Sequence, residues 1–195
     1  PFNMSISGTT GSASVSNAAT TANAGPNDWN TTANWSQGSI PTADDIVYFT
    51  SGTNEVLFGL DQSGVNLDQM IIGPGYSGNI GTASAALRIN CDAGGEKGMT
   101  LGGSGRYYNI EGDIENVFVT KNLGILKLGN KFQKVYFAGP DVGGRIILNC
   151  SASDNGGCEF VKVSGVARNC LIEIPATSVF INDIFIDSGR IDLSV

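Results

Sequence analysis

From Asp45 onward the chain is a succession of short apolar runs in which large apolar side chains alternate with polar ones. They fall at residues 45–50, 55–60, 65–72, 86–91, 98–101, 106–110, 116–120, 125–128, 134–138, 145–149, 159–163, 170–174, 178–182, 184–187 and 190–193. Alternation with period two is the mark of a strand with one buried face, since successive side chains point to opposite sides of the backbone. It is visible in Val135 and Phe137, in Val161 and Val163, and in Ile172 and Ile174. Gly, Asn, Asp or Pro separates nearly every pair of runs, and strand starts lie roughly 8–12 residues apart, the spacing of an all-β protein.

Two architectures accommodate such a chain: a β-sandwich or jelly roll, and a β-solenoid. Three features favour a short β-solenoid. The runs are too numerous for one small sandwich. Asn-Gly and Asp-Gly, dipeptides that antiparallel hairpins favour, occur only once, at Asn155-Gly156. The strands are short and alike, as when each coil packs only on its neighbours. Two or three strands per coil give roughly 20–30 residues per turn and about six coils stacked ~4.8 Å apart.

A solenoid leaves raw strand edges and an open core at its ends, so it needs a cap. Both tryptophans of the chain, Trp29 and Trp35, lie in 28–44, a segment otherwise dominated by Asn, Thr, Ser and Gly. Each can bury about 150–250 Å². They are expected to plug the N-terminal end of the apolar stack, with Pro41 ending the cap and Asp44 and Asp45 starting the first coil. The competing reading of the pair is an aromatic platform for stacking sugars. The domain organisation is then an extended N-terminal arm, 1–27, and a solenoid domain, 28–195, with its cap at 28–44.

The arm is almost purely Ser, Thr, Ala, Asn and Gly and has no charged side chain. Such a segment cannot offset its ordering entropy by burial. It reads as a flexible tail, or as an arm that orders against a partner by adding an extended strand. Phe2, Met4 and Ile6 are its candidate docking residues.

Charge narrows the function. The chain carries 11 Lys and Arg against 18 Asp and Glu, a net charge of −7. No base precedes Arg88, so residues 1–87 hold six acids and nothing to balance them. Nucleic acids and anionic membranes are both held by Lys and Arg, and neither is an expected partner. No run of 18 apolar residues suggests a membrane helix. The first twenty residues show neither part of a secretory leader, and Pro1 suits a chain whose initiator Met was removed, which predicts synthesis in a cytoplasm without conventional export.

The sequence contains no His, which excludes Ser-His-Asp and Cys-His catalysis. Gly102-Gly103-Ser104-Gly105 lacks the Lys and the strand–helix setting of a phosphate loop and reads as a turn. Paired carboxylates able to hydrolyse glycosides could come from Glu111, Asp113 and Glu115, which alternate and can share a strand face, or from Asp183 and Asp187. Solvated coil edges explain both sets more simply. Calcium has partial ligand sets at Asp141 and at Asp154-Asn155-Gly156, without the repeat or loop that binds it. No catalytic residue, metal or cofactor is assigned. Cys91, Cys150, Cys158 and Cys170 include no closely spaced pair and are expected as buried thiols, with a disulfide as the alternative. Asn90-Cys91 and Asn149-Cys150 end similar strands, LRINC and IILNC, which hints at equivalent places in stacked coils.

Asp28-Trp29, Asn34-Trp35-Ser36, Gly38, Ile40-Pro41, Asp45 and Val47 resemble the opening segment of β-solenoid structural proteins of tailed bacteriophages. Gly59-Leu60-Asp61-Gln62-Ser63, Val65, Leu67, Ile71, Tyr76, Gly78 and Ile80-Gly81 extend the likeness, which covers roughly residues 28–81. The resemblance implies a non-enzymatic virion protein: a capsid decoration (cement) protein on the capsid surface, bound to the major capsid protein. The coil pattern and the need to close exposed edges predict a homotrimer. The alternative is a tail fibre or spike module that binds a host glycan, and a third class is a carbohydrate-active enzyme.

Overall fold

In the computed structural model the described residues are 12–14, 28–91, 98–122, 124–142, 144–150, 158–163, 170–174 and 181–186. They form twelve strands and no α-helix: β1 (Ser12–Ser14), β2 (Ile46–Gly52), β3 (Asp61–Asn66), β4 (Gln69–Tyr76), β5 (Leu87–Asn90), β6 (Gly98–Leu101), β7 (Tyr107–Asn122), β8 (Ile125–Val142), β9 (Gly144–Cys150), β10 (Cys158–Val163), β11 (Cys170–Glu173) and β12 (Ile181–Ile186).

Every pairing among these strands is parallel and joins one coil to the next. A sandwich or jelly roll would be antiparallel, so the chain is a β-solenoid, of about five turns. Two ladders run along it. The first stacks β2, β4, β6, the second half of β7, the second half of β8, β10 and β12. The second stacks β3, β5, the first halves of β7 and β8, β9 and β11, six rungs that enclose the five turns.

Stacking in register turns the sequence alternation into continuous apolar rows. Val47, Met70, Met99, Val117, Val135, Val161 and Ile184 occupy one row of the first ladder. Phe49, Ile72, Leu101, Val119 and Phe137 occupy the next inward row, all buried. On the second ladder Leu87, Ile110, Leu128 and Leu148 do the same. Each side chain packs mainly on its counterpart one rung away, so the core is a column rather than a ball.

The outward rows show why this register holds. In-register stacking tends to bring like beside like, and like charges in facing places repel. Here opposite signs alternate instead: Arg88 faces Glu111, and Asp113 faces Lys131 and is bridged to it at 3.2 Å. Lys121 stands opposite Asp141 in the ladder between β7 and β8.

Several strands differ from the sequence expectation. The runs at 106–110 and 116–120 are one strand, β7, because inward and outward places keep alternating through Glu111, Gly112, Asp113, Ile114 and Glu115. The runs at 125–128 and 134–138 are likewise one strand, β8. The run at 55–60 makes only isolated bridges, at Val56 and Phe58, and forms a corner. The Asn-Cys dipeptides are not equivalent: Cys91 aligns with Ile114, whose neighbour is Phe132, whereas Cys150 aligns with Asn130, two places earlier. The run at 190–193 lies outside the described residues.

Candidate functional site

The opening segment forms a layer on the first coil. Asp28 bridges to Phe58, and the Trp29 amide donates to the Phe58 carbonyl at 3.0 Å. A single 3-10 turn at Thr32–Asn34 brings the chain back over itself. The Asn34 side-chain amide donates to the Asp28 carbonyl, and the Trp35 indole N–H to the Trp29 carbonyl, each at 2.8 Å. The two indoles meet edge to face with centroids 4.7 Å apart. Both rings lie 6.3 Å from Phe49, which in turn lies 5.1 Å from Tyr76. Trp29 and Trp35 are 1% and 3% exposed, so they offer no face on which a sugar could stack. Pro41 is buried, and one Asp45 carboxylate oxygen accepts both the amide and the hydroxyl of Thr42.

The second half of the motif locks onto the first. The Gln62 side-chain amide donates to Asn30 Oδ1 at 2.9 Å and to the Gly59 carbonyl at 2.7 Å. Gly59 holds φ at +63°, and a Cβ there would lie 2.3 Å from Asp28 Oδ1. Both reasons require glycine. The Tyr76 hydroxyl donates to the Asn54 carbonyl. Residues 28–81 are thus one interlocked structural unit. Before it, β1 adds in parallel to β2, pairing Ala13 with Val47. Phe2, Met4 and Ile6 lie outside the described residues.

The outer face of the second ladder carries an open groove of about 680 Å³. Its floor is a set of outward side chains from successive rungs: Arg88, Glu111, Lys127, Asn149 and Glu173, with Arg145 at the edge. Residues 83–86 and Leu60 line it as well. That stretch follows a turn in which the Thr82 amide donates to the Ala85 carbonyl at 2.7 Å, and Asn109 anchors it by donating to the Thr82 carbonyl at 2.8 Å. Arg145 and Glu173 form a two-bond pair, both bonds 2.6 Å. That guanidinium holds the Glu173 carboxyl below the usual carboxylate range. Arg88 and Glu111 approach to 3.6 Å. Lys127 lies over the Tyr107 ring at 5.7 Å.

No protein family matches the chain, and neither a curated protein nor a solved structure does.

Glu111, Asp113 and Glu115 do share the outward face of β7. Glu111 and Asp113 are committed to bases on adjacent rungs, so they serve as ladder partners in the structure. Asp183 lies in β12; Asp187 and Asp154-Asn155-Gly156 lie outside the described residues. Among the described residues no three acid or thiol groups come together as metal ligands. Three amides of the glycine run are used internally: Gly102 donates to the Ile72 carbonyl, Ser104 to the Tyr76 carbonyl and Gly105 to the Tyr108 hydroxyl. Cys91, Cys150 and Cys158 are buried thiols, and burial pushes the Cys150 thiol up.

Burial also raises the Tyr76 phenol far above its ordinary pKa, helped by Tyr108 and Glu55, and raises Tyr108 as well. A raised folded-state pKa means the folded protein keeps its proton when the unfolded chain has lost it. The stabilisation is complete below about pH 10, the ordinary phenol value, and is lost as pH rises above it. Each such group contributes a slope of roughly 1.4 kcal/mol per pH unit there. Thermal melts between pH 9 and 11 (about one unit either side of that value) are expected to fall steeply in the upper half, and Tyr76→Phe to flatten the fall.

Proposed function

We propose that this chain is a structural component of a tailed-bacteriophage virion: a capsid decoration protein that clamps neighbouring capsomers from outside and performs no catalysis. The observation that carries the reading is the interlocked unit at 28–81. The residues that resemble the opening segment of phage solenoid proteins, Asp28, Trp29, Asn34, Trp35, Pro41 and Asp45 with Gly59 and Gln62, are the ones that build and close the cap. The likeness therefore lies in the parts that define the architecture.

The major capsid protein is the partner, met through the uncharged arm and its Phe2, Met4 and Ile6. The assembly is a homotrimer whose subunits pack through the outward row of the first ladder. In that row Phe118 stacks on Tyr136 at 4.8 Å and 6°, and Phe185 remains 53% exposed. Exposed aromatics in one line are unusual on a surface that is to stay bare.

Sedimentation of the purified protein is expected to give a species near three times 20.3 kDa, and Phe118→Asp with Phe185→Asp to give a monomer. Deleting residues 1–25 is expected to leave the solenoid folded by circular dichroism and to abolish capsid attachment. Full decoration by the truncated protein would move the docking surface onto the solenoid. The groove favours a second reading, a fibre or spike module. Band densitometry of purified particles separates the two, because a decoration protein approaches the copy number of the shell and a spike does not.

A further inference from the structure

We propose that the groove on the second ladder binds an uncharged oligosaccharide laid along the solenoid axis. This does not rest on where the protein sits in a particle. The groove's 680 Å³ lies in the range of small-molecule sites. Its polar groups recur rung by rung, ~4.8 Å apart along the axis, which suits a polymer better than a compact ligand.

The chemistry selects the class. Arg88, Lys127 and Arg145 are matched by Asp61, Glu111 and Glu173, so the lining has no net charge although the whole chain is acidic. A sugar hydroxyl is both donor and acceptor; it can give to a carboxylate and accept from a guanidinium at the same place without separating the pair. A carboxylate or phosphate ligand could reach Arg145 only by displacing Glu173 from its two bonds, and one paired with Lys127 alone would share the groove with all three acids. Ala83, Ala85, Ala86 and Ile147 add apolar surface for the C–H faces of the rings. The ion pairs also hold the long side chains in place before binding, so less rotamer freedom is lost when the ligand arrives.

The test uses the full chain with oligosaccharides from dextran, mannan and galactan, and oligogalacturonate as the anionic counterpart, followed by saturation-transfer NMR and titration calorimetry. At least one uncharged probe is expected to bind. Arg145→Ala is expected to weaken it about tenfold, the usual loss for a hydrogen bond to a charged group. Lys127→Ala, which removes a side chain bonded to no carboxylate of the described residues, is the second variant should Arg145→Ala melt early. Gln37→Ala, at an exposed place of the cap layer and outside the groove, is expected to leave affinity unchanged. Binding by none of the three uncharged probes overturns the proposal, as does preference for oligogalacturonate or affinity untouched by both groove variants.

Discussion

Trp35→Ala is expected to lower the stability of the folded chain by roughly 3–5 kcal/mol, the penalty for truncating a large buried aromatic. The cost has three sources. The indole is 3% exposed and fills the space between Trp29 and Phe49, so its removal leaves a cavity at the end of the apolar column. Phe49, the first inward aromatic of the ladder, loses its cover. The Trp29 carbonyl loses the indole N–H that it accepts at 2.8 Å. Urea unfolding followed by circular dichroism measures the change. A loss under about 1 kcal/mol, the size of an ordinary surface substitution, would show that the pair does not close the core.

Gly112→Ala is expected to be worse for folding than its one added methyl suggests. A Cβ at this inward place of β7 would lie 1.7 Å from the Ile89 carbonyl oxygen and 2.6 Å from its carbon. The obstacle is backbone, so no side chain can swing aside, and relief requires the β5–β7 rung to part. Overpacking typically costs about 1–3 kcal/mol and sometimes more, and this site is expected at or beyond the top of that range. Gly64→Ala is the control: it lies in β3 with no atom within 4 Å of the added methyl. That change is expected to be neutral or slightly stabilising. Comparing soluble yield and melting temperature of the two variants tests the assignment, and equal melts would refute it.

The coil-by-coil architecture was legible because inward places are filled by Val, Ile, Leu, Met and Phe wherever a rung falls, and the two tryptophans mark the N-terminal end, where the stack needs wide cover. What was hidden depends on register. Glu111, Gly112 and Asp113 look like a turn between two strands, yet they continue β7 because each outward acid faces a base on a neighbouring rung. Residues 55–60 look like a strand, yet Gly59 turns the chain with φ of +63°. The groove was invisible for the same reason. Arg88, Glu111, Lys127, Arg145 and Glu173 form no local motif, and only the variable coil length decides that they line up.

That variability separates what can change from what cannot. The coil from Met70 to Met99 spends 29 residues on one turn, whereas Met99 to Val117 and Val117 to Val135 spend 18 each. The longer coil contains residues 83–86, part of the groove lining, and there the Thr82–Ala85 turn closes on itself through its own backbone. Mutation and recombination can rewrite such an excursion, or lengthen it, while the rows beneath keep their spacing. The groove wall and the scaffold can therefore be changed on separate terms. A foreign peptide spliced at 83–85 would be displayed without disturbing the frame that carries it.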